Sequence, residues 1–146
     1  MKHLFTLLLI FSVSLAYGQF SAGMHTGASD QFTIAGIHTQ YQFKNRFVAG
    51  INLTAHLNNT DPVFFQSRFG YTIGNYESGL SVQPYTGYSY SIQNVEQKKY
   101  GGNFTYGAQV RWQIGMIGLL YADVNKPSRE HIVYAIGLAG VIPRKQ

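Results

Sequence analysis

Five histidines, a scatter of serines and two arginines set within alternating segments are the residues with chemistry to offer. His56, in the segment TAHLNN, could serve as a general base if a nucleophile stood beside it and a third group oriented its ring. The chain has no cysteine, and the residue two places beyond His56 is Asn58. Ser67, Ser81 and Ser89 follow, but no spacing along the chain pairs any of them with a histidine. A structural histidine close to a loop is the better account of His56. His38 and His56 fall on polar faces, and His25 or His131 could join them around a metal ion. Their spacings match no short ligand motif. No catalytic residue, metal or cofactor is expected.

Arg68 and Arg111 say more. Each stands mid-segment on a polar face, with no carboxylate in the same segment. A buried charge without a partner is costly, so an interior arginine must be met by carbonyl, hydroxyl or carboxylate oxygens. Gln40, Gln66, Gln83, Tyr85, Gln109 and Gln113 offer the first two kinds, and Glu77 or Asp123 the third. A rigid polar plug is the favoured reading, ahead of a narrow passage for anions.

The elements that must position these residues are strands. The period is two almost everywhere, with candidate strands near 20–27, 31–43, 46–56, 64–74, 79–91, 102–114, 116–123 and 131–141. In the sixth, Phe104, Tyr106, Ala108, Val110, Trp112 and Ile114 alternate with Thr105, Gly107, Gln109, Arg111 and Gln113. One face is therefore apolar and the other small or polar. The seventh and eighth read as less regular and apolar on both faces. Lys44-Asn45, Asn75 to Ser78 and Gly115 make tight connections. Leu57 to Val63, Ile92 to Gly101 and Val124 to Glu130 make longer, polar ones. Short and long alternate, with Gly27 to Asp30 the short exception. An all-β, antiparallel up-and-down barrel of eight strands puts alternate connections at opposite ends, and short turns opposite long loops characterise barrels that cross an outer membrane.

Composition narrows the field further. The chain has 146 residues, enough for one domain, with 45% apolar, 15% aromatic and only 12% charged residues. That excludes a disordered chain. The net charge of +5 comes from 11 basic and 6 acidic residues, with no basic run longer than Lys98-Lys99. Nucleic-acid binders concentrate such residues on one face, so no nucleic-acid partner is expected. Residues 1–18, MKHLFTLLLIFSVSLAYG, have the basic start, apolar stretch and small-residue end of an export signal cut before Gln19. The domain expected to remain is 19–146.

Charge also chooses the outer face. The polar faces carry Gly, Ser, Thr, Gln and Asn where a water-facing surface would carry many Lys, Glu and Asp. They suit a packed lumen, with Gln40, Asn52, His56, Arg68, Gln83, Gln109, Arg111 and Gln113 as a polar network. Aromatics near strand ends, among them Phe43, Phe47, Phe64, Tyr100, Phe104 and Trp112, suit the belts found at membrane interfaces.

The segments AYG before Gln19, RFGYTIG (68–74), SVQPYTGYSY (81–90) and FTYGAQVRWQIG (104–115), with this loop rhythm, resemble the small eight-stranded OmpA-type and OmpX-type outer-membrane barrels. The flavour is that of uncharacterised Bacteroidetes barrels. The resemblance implies a monomeric barrel in the bacterial outer membrane, in contact with lipid or lipopolysaccharide and inserted by the assembly machinery. Its implied role is structural, adhesive or in envelope maintenance. Such barrels usually end on an aromatic residue, whereas this chain ends IPRKQ. The chain also resembles outer-membrane lipid A deacylases in size and barrel class, but their His and Ser two residues apart are not matched at His56 and Asn58. A lipid-modifying hydrolase is thus one alternative. The other is a soluble barrel of lipocalin or avidin type around a small apolar ligand, which needs the two faces reversed.

Overall fold

The computed structural model describes residues 18–29, 32–57, 63–74, 79–92, 100–127 and 132–142. Nearly all of the expected export signal, with Glu77, Lys98, Lys99 and His131, lies outside them. The strands are β1 (Gln19–Ala28), β2 (Thr33–Gln42), β3 (Phe47–His56), β4 (Val63–Tyr71, resuming at Ile73–Gly74), β5 (Leu80–Ile92), β6 (Tyr100–Ile114), β7 (Gly118–Pro127) and β8 (Val133–Ile142). Each is antiparallel to its sequence neighbours, and β8 pairs with β1 through Phe20↔Ile142 to Ala28↔Tyr134. The sheet closes into an eight-stranded up-and-down barrel.

Register sets its dimensions. Successive partners run from Gln19 through Gln42, Val48, Gly70, Tyr85, Gly107 and Asn125 to Val133. Val133 is one step beyond the Ala28↔Tyr134 pair, so the circuit returns opposite Ser29, ten residues above its start. A stagger of ten over eight strands tilts each by about 40°. Ten-residue strands at that tilt rise about 25 Å, the height of the apolar band on outer-membrane barrels.

Most strand ends shift by one or two residues from the sequence expectation, and the largest departure is at β7. β7 begins at Gly118 and runs to Pro127, so Val124 to Pro127 is strand and not loop. Asn125 points inward and Lys126 outward, continuing the alternation, while pairing extends to Thr105↔Pro127. The difference between short and long connections shrinks accordingly, with 43–46, 75–79 and 115–117 at one end and 29–32, 57–62, 93–99 and 128–132 at the other. β8 is also fully regular. Val133, Ala135, Gly137, Ala139 and Val141 face in, and Tyr134, Ile136, Leu138, Gly140 and Ile142 face out. Its inward face is small because β7 fills the space: a β-carbon at Gly137 would meet the ring of Tyr121.

The exterior is apolar. Phe104 is 69% exposed, Leu138 63% and Trp112 57%, with Met24, Ile37, Ile51 and Phe69 also outside. Among the described residues, Lys126 near the loop end is the one charged side chain that a strand presents outward. A soluble barrel holding an apolar ligand would need these faces inside, and they are outside.

Candidate functional site

The inward faces of the strands build a continuous polar interior. At its centre Arg68 of β4 meets Asp123 of β7, with Nη1 2.5 Å from Oδ2. The other carboxylate oxygen accepts from the Tyr85 hydroxyl at 2.6 Å. The Arg68 guanidinium lies 4.3 Å from the Tyr85 ring centroid, within cation–π reach. Its Nε donates to Gln66 Oε1 at 2.7 Å. The Asn52 amide, turned so that donors meet acceptors, places its oxygen 2.6 Å from Arg68 Nη2. Gln66 in turn donates to the hydroxyl of the fully buried Thr105 at 3.0 Å. A buried charge pair is tolerable when both partners are hydrogen-bonded as these are.

Toward the termini a second group forms. Gln83 Oε1 accepts from Gln40 Nε2 at 3.0 Å and from Arg111 Nη1 at 3.2 Å, and Arg111 is 1% exposed. Gln109 is buried on the same face. Gln113 turns away to donate to the carbonyls of Gly115 and Met116, closing the β6–β7 turn. Beside this group the Tyr121 hydroxyl and His38 Nδ1 are 2.8 Å apart, and His25 Nε2 lies 3.1 Å from Thr54 Oγ1.

A cavity of about 50 Å³ opens at the loop end. Its walls include Phe32, Ile34, Phe64 and Val133, and its floor reaches Arg68 and Asp123. That space accommodates a few waters. His56 stands at its rim between Phe32, stacked with ring centroids 3.9 Å apart, and Phe64 at 4.7 Å. Phe64 therefore faces the mouth, and not the membrane interface where the sequence reading put it. Alternation along β4 sends its neighbour Phe65 outward instead. Phe47, Phe104 and Trp112 are on the exterior, Phe43 packs edge-on against Tyr41 in the β2–β3 turn, and Tyr100 is described in backbone only.

Ser89 also lines the cavity, but among the described residues no serine hydroxyl is hydrogen-bonded to a histidine. Both oxygens of Asp123 are engaged by Tyr85 and Arg68. The arrangement holds charge in place and assembles no nucleophile–base pair, and no cluster of metal-ligating side chains occurs among the described residues. The sequence identified Asp123 as one of two possible charge partners for Arg68. It carried no sign of the Phe32–His56–Phe64 stack, which depends on three strand ends meeting at one rim.

An apolar, almost uncharged exterior of bilayer height around a hydrogen-bonded interior defines a transmembrane β-barrel of the outer-membrane type, an exterior suited to the outer membrane. Solved structures agree on the fold. The N-terminal β-barrel domain of Pseudomonas aeruginosa OprF is 11% identical, with a TM-score of 0.71 over 85% of this chain and 97% of that one. A transmembrane β-barrel designed de novo is 14% identical, with a TM-score of 0.67 over 86% and 97%. Ail, the attachment invasion locus protein of Yersinia pestis, is 12% identical, with a TM-score of 0.52 over 86% and 97%. At such identities the likeness is one of fold, and fold does not carry function. No family model and no curated protein matches the chain.

Proposed function

We propose that this chain is an integral outer-membrane barrel that neither conducts nor catalyses, and that works through its outward loops in adhesion or envelope maintenance. The observation that carries this reading is the filled lumen. Eight strands enclose little more than their own side chains, and here Arg68, Asp123, Tyr85, Asn52 and Gln66 bridge the middle with only a small cavity above them. Gln40, Gln83, Gln109 and Arg111 extend the polar plug on this view, with His56 at its loop-end rim. Residues 1–18 act as the export signal, and the barrel is of the Bacteroidetes kind that its strand segments resemble. It is a monomer embedded in lipid and lipopolysaccharide and inserted by the outer-membrane assembly machinery. The fold shared with an attachment invasion locus protein supports the adhesive form of the role by analogy.

Envelope fractionation of cells expressing the full chain tests the proposal. The protein should stay with urea-washed outer membranes, migrate differently on gels before and after boiling, and leave planar bilayers without discrete conductance. Recovery in a soluble fraction, or a steady ion current through the purified barrel, would reject it.

A further inference from the structure

Three turns close the barrel at the end where β1 begins and β8 ends. In or beside them three residues have positive φ: Arg46 at 69°, Gly74 at the end of β4 at 104° and Gly115 at 64°. Glycine enters this region without a β-carbon clash, whereas other residues do so at a cost. Two of the three are glycines, and the third is an arginine. The backbone there is tied on every side. Arg46 N donates to Phe43 O at 3.0 Å, Phe43 N to Phe47 O at 2.8 Å, and Thr72 N to Arg46 O at 2.9 Å. The left-handed conformation therefore belongs to the turn, whichever residue occupies it. The hydrogen bonds that fix it use the arginine backbone and leave the side chain to another purpose.

That side chain and Lys44 are both exposed, and neither has an ion-pair partner among the described residues. Beside them on the outer wall lies an aromatic shelf, with the Phe47 ring 5.7 Å from Phe69 and 5.3 Å from Tyr71 between centroids. Among the described residues Lys44 and Arg46 are the exposed charges at this end and Lys126 the one near the other. Cations held just beyond a ring of aromatics match a lipid interface, with charge at the phosphate level and rings at the glycerol level.

We infer that the Lys44–Arg46 turn and the shelf of Phe47, Phe69 and Tyr71 form a seat for the phosphodiester headgroup of an anionic phospholipid, in the leaflet at the terminal end. This rests on the transmembrane placement proposed above.

The test refolds the chain, Arg46→Gly and Lys44→Gln into vesicles of phosphatidylcholine alone or with one-third phosphatidylglycerol. Urea unfolding is followed through Trp112. Phosphatidylglycerol should raise the folded-to-unfolded ratio of the parent chain by about fivefold more than that of either variant, the worth of one basic side chain near an anionic surface. In phosphatidylcholine alone Arg46→Gly should be at least as stable as the parent, because glycine accepts the positive φ. An equal phosphatidylglycerol effect on all three proteins would overturn the inference while leaving the barrel in the membrane. A loss in Arg46→Gly of the same size in both vesicles would overturn it too, by making the arginine structural. Failure of the parent chain to insert into either vesicle would overturn the membrane placement itself, and this inference with it.

Discussion

Asp123→Ala probes the energetics of the lumen most directly. The substitution removes the carboxylate 2.5 Å from Arg68 and the acceptor of the Tyr85 hydroxyl in one step. Arg68, whose side chain is 12% exposed, keeps only the amide oxygens of Gln66 and Asn52 and the Tyr85 ring. Stranding one member of a buried pair costs about 3–5 kcal/mol, a hundredfold or more in the folded-to-unfolded ratio. Asp123→Asn retains an acceptor for Tyr85, so its loss should be about 2 kcal/mol. Removing both charges relieves the problem. The Arg68→Leu/Asp123→Leu double variant should come within about 2 kcal/mol of the parent, with a coupling energy of at least about 2 kcal/mol. Urea unfolding in vesicles measures all of these, and Trp112, the single tryptophan and 57% exposed on the outer wall, reports loss of the lipid contact. A loss below about 1 kcal/mol for Asp123→Ala, or a double variant as unstable as the two single losses added, would refute the view that this pair bridges the lumen.

Two further substitutions test the placement of the two faces. Ile51 lies midway along β3 and 46% exposed on the outer wall, so Ile51→Arg should cost about 2–4 kcal/mol in vesicles. Met116→Arg, in the exposed β6–β7 turn, should stay within about 0.5 kcal/mol of the parent; equal losses at the two sites would contradict a lipid-facing wall. Gly137→Val drives a β-carbon into the Tyr121 ring and the Met24 carbonyl, and should lower the yield of the fast-migrating unboiled band several-fold while Gly79→Ala, where nothing lies within 4 Å, leaves it unchanged. Normal folding of Gly137→Val would mean that Tyr121 does not pack where it is placed.

Much of this fold is legible one residue at a time. Phe104 to Ile114 declare a half-apolar strand because side chains on an extended chain alternate sides, and that rule needs no partner. The same alternation, joined to the scarcity of charge on the polar faces, is enough to turn the barrel apolar side out. It fails where local composition is ambiguous. Val124 to Pro127 contains a proline and polar residues and reads as loop, yet pairing with β6 holds it in the wall. β8 reads as apolar on both faces because its inward side is made of Val, Ala and Gly, with Gly137 leaving room for the Tyr121 ring.

The sequence by itself determined the period, the apolar exterior and the need for interior partners for Arg68 and Arg111, because these follow from side-chain chemistry and the geometry of one strand. Tertiary structure decided who those partners are. Arg68 and Asp123 stand 55 positions apart, and only the stagger of ten around the closed sheet brings β4 and β7 to face each other at that height. Pairing between the neighbouring strands β3 and β4 turned Phe64 into the mouth beside His56 and set Phe47 against Phe69 and Tyr71 at the opposite rim. The meeting of β4 with β7 depends on register summed around the sheet, and no window of sequence contains that sum.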